Sequence, residues 1–249
     1  MSLLSVNNVS ISFGGVAALS NVSLNVEADS LLGFIGPNGA GKTTLMRIIT
    51  GMLRPHQGNV MLDGIDITNW PIHRRIGAGI ALAQQIVRPL RSFNLLDNVA
   101  FAAGRARMTN PLSALVQTSR TTERACAMEF LELVGISDAA KAMPGELPLG
   151  YLKRLEVARA LALKPKLLLL DEPLAGLNQS EAYSMADLIA RLVGNGRSIL
   201  LIEHNMREVA RICPQLYVQE NGCRLIQGPT AEVMASPELY RAYLGKEAS

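Results

Sequence analysis

Apolar and polar residues alternate in the first part of the chain in the way that is typical of β-strands. The alternation covers Val6–Phe13 and Val22–Val26, and Leu31–Ile35 is a continuous apolar run of strand length. A helical pattern follows over Thr43–Thr50 and ends at a glycine, and Val60–Leu62 is a further short strand. The first third of the chain is therefore predicted to be mostly β-structure with one helix.

The pattern becomes helical in the middle of the chain and returns to strands near its end. Thr122–Val134 and Leu152–Leu163 are the clearest amphipathic helices. Leu167–Leu170 and Ser198–Ile202 are predicted as buried parallel strands, with a helix over Ser180–Leu192 crossing between them. The sequence therefore predicts an α/β fold into which a helical subdomain is inserted.

Composition and charge narrow the class of protein. The chain has 249 residues, of which 49% are hydrophobic, and its net charge of +3 is too small to indicate a nucleic-acid partner. No apolar run approaches the roughly 20 residues that cross a bilayer, and the N-terminus lacks the pattern of a signal peptide. Cys126, Cys213 and Cys223 lie far apart and are expected to be buried thiols, not a disulfide framework or a metal site. We therefore expect a cytoplasmic protein that acts at a membrane only through partners.

The clearest functional motif follows the predicted strand Leu31–Ile35. Residues 36–43 read Gly-Pro-Asn-Gly-Ala-Gly-Lys-Thr and fit the phosphate-loop pattern G-x-x-x-x-G-K-S/T. Its glycines let backbone N–H groups converge on phosphate oxygens, and the helix N-terminus adds partial positive charge. Lys42 is expected to reach the β- and γ-phosphates, and the Thr43 hydroxyl to bind Mg²⁺. The predicted ATP-binding residues here are Gly36, Pro37, Asn38, Gly39, Ala40, Gly41, Lys42, Thr43 and Thr44.

An acidic pair, Asp171 and Glu172, follows the buried strand Leu167–Leu170. The carboxyl ends of parallel strands open onto the ligand crevice, so this pair is expected beside the phosphate loop. Asp171 would hold Mg²⁺ through its water shell, and Glu172 would polarise the attacking water as a general base. His204, at the end of the next predicted strand, would contact the γ-phosphate. The alternatives are a solvated helix start for the acidic pair and a structural histidine.

The order of these motifs resembles that of the ABC ATPases over essentially the whole chain. The resemblance implies that Gln85 lies in the loop that touches Mg²⁺ and faces the membrane partner, although the neighbouring Gln84 is an alternative assignment. It also implies that His204 is the switch histidine and that Ala175–Asn178 links two ATP sites. Glu172, His204 and Gln85 are thus the predicted catalytic residues, and Thr43, Gln85 and Asp171 the predicted metal-binding ones.

The resemblance assigns two further nucleotide contacts, and the sequence departs from the family pattern at one of them. Phe13 matches the aromatic residue that stacks on adenine, with a core phenylalanine as its alternative. Leu147–Tyr151 occupies the position of the signature peptide, in which Leu149 and Gly150 would meet the γ-phosphate held by an opposite subunit. Pro148 replaces the usual serine and supplies neither a hydroxyl nor an N–H group. Since a lost contact to a charged oxygen costs about 1.5–3 kcal/mol, a weaker ATP-bound dimer or slower turnover is expected.

The resemblance also implies how the chain is organised. A single ABC ATPase domain is expected over residues 1–249, with a P-loop NTPase core of α/β type formed by about 1–85 and 165–249. The core would carry an N-terminal antiparallel β region. A helical subdomain that includes the signature would occupy about 90–163, and the polar, rather basic segment 104–122 is interpreted as a solvated surface insertion.

Within the family the chain looks most like the ATPases of branched-chain amino-acid importers. Three sequence features support this assignment: the Leu-x-x-Gly signature, Ala-Gly-Leu-Asn at 175–178 and the ending Arg241–Gly245. The implied partners are a second ABC ATPase subunit (in a homodimer or a heterodimer), transmembrane permease subunits and, indirectly, a solute-binding protein, on the inner face of the cell membrane. The alternatives are an importer for urea or amides, a soluble ABC assembly such as one for cluster biogenesis, and a subunit that binds ATP with little hydrolysis.

Overall fold

The computed structural model describes residues 2–104 and 121–244. Most of the predicted surface insertion at 104–122 therefore lies outside the described residues, as does Gly245 of the terminal peptide. The fold is of the predicted α/β class, with an antiparallel sheet, a mixed sheet and surrounding helices.

The N-terminal sheet is antiparallel, with strands in the order β2-β1-β4-β5. Its members are β1 (Ser2–Phe13), β2 (Val16–Glu27), β4 (Gln57–Leu62) and β5 (Ile65–Asp66). The first two strands are longer than the sequence pattern predicted. They form a hairpin because Gly14 and Gly15, with φ of 55° and 85°, adopt the left-handed backbone that a tight two-residue turn requires.

The second sheet has the strand order β10-β9-β3-β8-β7-β6 and carries the candidate site. Its strands are β3 (Leu31–Ile35), β6 (Ile80–Ala83), β7 (Leu167–Asp171), β8 (Ser198–Ile202), β9 (Gln215–Glu220) and β10 (Cys223–Pro229). All pairings are parallel except that of β10 with β9. The carboxyl ends of β3, β7 and β8 consequently lie side by side.

Apolar layers cover both faces of this sheet, which explains why its strands are continuously hydrophobic. In β7, Leu168 and Leu170 pack with the helices of one face, whereas Leu167 and Leu169 pack with α1 and the antiparallel sheet on the other. The described helices are α1 (Lys42–Thr50), α2 (Ile72–Gly77), α3 (Leu95–Ala103), α4 (Thr121–Leu133), α5 (Leu149–Leu161), α6 (Gln179–Arg191), α7 (Met206–Ile212), α8 (Thr230–Met234) and α9 (Pro237–Leu244).

The middle helices α3, α4 and α5 contact one another, as expected for a helical region. Across residues 2–104 and 121–244, no helix is both long and apolar enough to span a bilayer. The prediction of buried thiols was wrong for Cys223, which is exposed, and Cys126 is only half-buried, whereas Cys213 is buried. Cys223 is exposed because it opens the edge strand β10 directly after a turn.

Candidate active site

The predicted phosphate loop connects the end of β3 to the start of α1. Gly41 is the N-cap of α1 with a φ of 97°, a backbone conformation that favours glycine. A Cβ atom on Gly41 would lie 2.6 Å from the Ala18 carbonyl oxygen and 2.7 Å from the Gln219 side-chain nitrogen. The β2 strand and β9 therefore hold the loop from behind. The first-turn N–H groups of α1, which have no partner within the helix, are left for an anion.

Lys42 is buried against the loop that it follows. Its Nζ atom donates hydrogen bonds to the carbonyl oxygens of Gly36 at 2.6 Å and Pro37 at 2.9 Å. Burial lowers the pKa of the ammonium group, and the charges of Glu172 and Asp171 partly oppose that shift. A phosphate group bound in the loop would give this buried cation a charged partner in place of neutral carbonyls.

The three predicted catalytic side chains meet at one carboxylate. The Oε1 atom of Glu172 lies 2.9 Å from the Nε2 atom of His204, and its Oε2 atom accepts a hydrogen bond from the Gln85 side chain. Glu172 has a φ of 50°, a left-handed conformation that costs a non-glycine residue about 1 kcal/mol. Its N–H group donates to the Ile202 carbonyl oxygen at 2.9 Å, so the end of β8 fixes this turn.

The three predicted metal-binding residues line one cavity. A cavity of about 300 Å³ is bordered by Thr43, Gln85 and Asp171, and also by Gln84. Burial and the neighbouring Glu172 raise the pKa of Asp171, and the cations Lys42 and Lys153 oppose that shift. Hydroxyl, amide and carboxylate oxygens are the ligand types that Mg²⁺ prefers, and it is usually bound by one or two carboxylates together with substrate phosphates. The residues present therefore fit a nucleotide-bound Mg²⁺.

The described parts of the chain contain no cluster of three or more His, Cys, Asp or Glu side chains that could hold a metal by themselves. Both Gln84 and Gln85 reach the cavity, and among the described contacts Gln85 is the one that bonds to Glu172.

Phe13 is 48% exposed at the end of β1, so its alternative role as a core residue is excluded. It pairs with Val16 across the hairpin, and Ala18 of the same hairpin touches the phosphate loop at Gly41. The aromatic ring is thus free to contact a ligand, and its stacking on adenine stays a prediction.

The signature peptide forms the start of a helix and lies apart from the phosphate loop. Helix α5 begins at Leu149, three residues earlier than predicted, because Pro148 has the extended backbone of an N-cap (φ −66°, ψ 161°). Proline provides no side-chain cap, so the N–H groups of Leu149 and Gly150 are at an open helix end. Gly150 borders a separate cavity of about 260 Å³, whose lining comes from α5, α6 and Leu177 and includes no phosphate-loop residue.

Asn178 has a structural explanation. It is the N-cap of α6 and forms two hydrogen bonds with Glu181. The side-chain oxygen of Asn178 accepts from the Glu181 N–H group at 2.9 Å, and the Asn178 N–H group donates to the Glu181 carboxylate at 3.0 Å. Asn and Asp are equally good N-caps, so Asn178 starts this helix as well as an Asp would.

Sequence reasoning missed two buried charged residues beside the site. Lys153 donates to the carbonyl oxygens of Gln85 and Glu172, and Glu203 accepts hydrogen bonds from the N–H groups of Leu174 at 2.7 Å and His204 at 3.1 Å. Burial raises the pKa of Glu203 to about 7. The available signal for Glu203 was its position directly after the apolar run Ser198–Ile202, whereas no local pattern marks Lys153 as buried.

Known proteins are similar to this chain over almost its whole length. The family model described as ABC transporter matches residues 19–175. The chain is 37% identical to the high-affinity branched-chain amino acid transport ATP-binding protein BraF of Pseudomonas aeruginosa, with 98% of each chain covered. It is 35% identical to LivG of Escherichia coli, a protein of the same description, again over 98% of each. A solved structure of MJ1267 in its ADP conformation, an ATP-binding cassette of an ABC transporter, superposes with a TM-score of 0.86 at 30% identity, covering 98% of this chain and 99% of the other.

Proposed function

The chain belongs to the ABC transporter family, and on that premise we propose that it is the ATP-hydrolysing subunit of an importer for branched-chain amino acids. The observation that supports ATP hydrolysis is the position of Glu172, whose two carboxylate oxygens contact His204 and Gln85. This carboxylate lies beside the cavity that is lined by Thr43, Gln85 and Asp171. A carboxylate held in this way is placed to accept a proton from a water molecule that attacks the γ-phosphate.

The phosphate loop would bind the nucleotide with little change of its own backbone. The N–H groups of residues 39–44 would donate to phosphate oxygens, and Lys42 would exchange its carbonyl contacts for the β- and γ-phosphates. Phe13 would stack on the adenine ring. These contacts position the γ-phosphate, and His204 would sense its release through its contact with Glu172.

Thr43, Gln85 and Asp171 would hold a Mg²⁺ ion in the cavity that they line. When bound, this ion neutralises charge that develops on the β- and γ-phosphates. Lys42 and Lys153 favour the ionised form of Asp171, which is the form that binds a cation.

A second ATPase subunit would complete each site. Leu149 and Gly150 lie at the open end of α5, and the cavity that Gly150 borders has no lining residue from the phosphate loop of the same chain. In a head-to-tail pair the open N–H groups of one chain would reach the γ-phosphate held by the other.

We place this pair against transmembrane permease subunits at the inner face of the membrane, with a solute-binding protein acting on the permease. The proposed domain division, an α/β core at about 1–85 and 165–249 and a helical subdomain at about 90–163, puts the signature and the phosphate loop on different parts.

The cargo follows from the relatives. BraF and LivG are described as branched-chain amino acid transport proteins, and each matches 98% of this chain. The ATPase itself does not contact the solute, so the resemblance between ATPases supports the cargo indirectly.

The proposal is tested by measuring the uptake of labelled leucine in a deletion strain that lacks this chain. We expect uptake to be restored by the wild-type chain and by the exposed control variant Glu129→Gln, and to stay absent with Glu172→Gln. Restoration of urea uptake with no effect on leucine would contradict the cargo. Full leucine uptake with Glu172→Gln would contradict the hydrolytic role.

A further inference from the structure

Lys153 is a buried lysine whose ammonium group joins two segments of the candidate site. The side chain belongs to the signature helix α5 and is only 4% exposed. Its Nζ atom donates hydrogen bonds to the carbonyl oxygen of Gln85 at 2.7 Å and to that of Glu172 at 3.0 Å. Both acceptors belong to residues whose side chains are hydrogen-bonded to each other.

Burying the charge of Lys153 costs free energy, and the carboxylates that offset this cost act on it only through longer-range charge interactions. Among residues 2–104 and 121–244, no carboxylate forms a direct ion pair with it. Burial lowers the pKa of the ammonium group, and the charges of Glu203, Glu172 and Asp171 oppose that shift. A buried ion carries a desolvation penalty that a neutral side chain at this position would avoid. The positive charge itself is therefore the property that calls for an explanation.

The site offers that explanation, because several carboxylates lie together there. Glu172 disfavours the ionised form of Asp171, and Glu203 adds a third carboxyl group, which is buried. Lys153 opposes the rise in the pKa of Asp171, together with Lys42. Lys42 would be drawn to the phosphates of a bound nucleotide, which leaves Lys153, ahead of Arg47, as the main cation behind the acidic pair.

The position of Lys153 in α5 adds a mechanical connection. It lies three residues, or about one helical turn, after Gly150 at the open end of the same helix. It also holds the carbonyl of Glu172, whose left-handed backbone with a φ of 50° needs support from its surroundings. A displacement of the signature end of α5 would thus act directly on Glu172.

We propose that Lys153 is a positioning residue for ATP hydrolysis, which ties Glu172 and the Gln85 segment to the signature helix and supplies the cation behind the acidic pair. The inference rests on the proposed function, since it concerns the same site. It predicts that the charge of Lys153 affects the chemical step, while nucleotide affinity depends on the phosphate loop.

The test compares the full-length wild-type chain with Lys153→Gln, Lys153→Arg and the exposed control Lys141→Gln. ATP affinity is measured by equilibrium binding, kcat by phosphate release, and folding by circular dichroism. For Lys153→Gln we expect an affinity within about twofold of wild type and a kcat lower by about tenfold or more, the scale of a lost charged hydrogen bond.

Lys153→Arg keeps the charge and restores most of the kcat, and Lys141→Gln matches wild type. A folded Lys153→Gln variant with the wild-type kcat would overturn the inference about Lys153 alone. Loss of the fold in both Lys153 variants would assign the residue a purely structural role and would also overturn it. A wild-type chain that neither binds nor hydrolyses ATP would instead overturn the proposed function, and this inference with it.

Discussion

The Nε2 atom of His204 lies 2.9 Å from the Oε1 atom of Glu172, although 32 residues separate them along the chain. The contact arises because β7 and β8 are parallel neighbours, with Asp171 in register with Ile202. Each strand ends at the same edge of the sheet, and the residues that follow turn toward each other. The pair therefore depends on the sheet topology and places a histidine next to the proposed general base.

His204→Ala is expected to lower kcat about 10²-fold, because Glu172 loses one of its two side-chain contacts and the γ-phosphate loses a sensor. ATP affinity should stay within about twofold of wild type, since the phosphate loop is untouched. Phosphate release and equilibrium ATP binding check both values. His56→Ala, at an exposed position, serves as the control. Wild-type turnover in His204→Ala would remove His204 from the mechanism.

Glu203 makes stability depend on pH. Burial raises its pKa in the folded chain to about 7 from an ordinary value of 4.5, so the folded state holds the proton more tightly than the unfolded state. The free energy of unfolding should consequently fall by about 3 kcal/mol as pH rises from 4.5 to 7.

Urea denaturation of wild type and Glu203→Gln at several pH values measures this effect, because the variant lacks the ionisation. The difference in unfolding free energy between the two proteins should change over that pH range. Parallel pH profiles would show that Glu203 keeps an ordinary pKa.

Pro148→Ser is expected to strengthen ATP-driven pairing. Serine would cap α5 at its N-terminus, with a gain of about 1 kcal/mol, and would offer a hydroxyl at the open helix end. In the Glu172→Gln background, sedimentation analysis should show dimers at lower MgATP concentrations. Pro71→Ser is a matched control, since Pro71 is also an uncapped N-cap residue, at the start of α2. An equal response of both variants would attribute the gain to helix stability alone.

Arg75 stabilises the end of α1 that is opposite the phosphate loop. Only 1% exposed, it donates to the carbonyl oxygens of Ile48 at 2.6 Å and Ile49 at 2.8 Å, and also to those of Thr68 and Trp70. Arg75→Met would leave buried carbonyls without donors and is expected to cost about 3 kcal/mol or more in urea denaturation. The neighbouring Arg74→Met, which loses a cation–π contact 3.8 Å from the Trp70 ring centroid, should cost about 1 kcal/mol or less. Equal losses would contradict the capping role of Arg75.

The sequence alone was sufficient to predict those parts of the site that directly follow a strand. The phosphate loop after β3, the acidic pair after β7 and the histidine after β8 each combine an apolar run with a polar ending, and parallel strands bring those endings together. Local pattern also located β3, β4, β7 and β8 and the helices α1, α4, α5 and α6 within a few residues, whereas β6, β9, β10 and the helices α7, α8 and α9 were not predicted.

Features that depend on distant contacts could not be predicted in this way. Lys153 looks like a surface lysine in sequence, and its burial follows from the carbonyl oxygens of Gln85 and Glu172, which are 68 and 19 residues away. The start of α5 was predicted too late because Pro148 reads as a helix breaker, whereas its backbone here is that of an N-cap. The exposure of Phe13 and Cys223 likewise depends on where the hairpin and the edge strand lie.

The most direct test of this account is the rate of phosphate release by purified Glu172→Gln protein at saturating MgATP, with ATP affinity measured on the same preparation. Glutamine keeps the size of the side chain but cannot accept a proton from water. We predict a rate at least about 10²-fold below wild type with ATP affinity nearly unchanged. Phosphate release at the wild-type rate would contradict the assignment of Glu172 as the general base, and with it the central claim about this site.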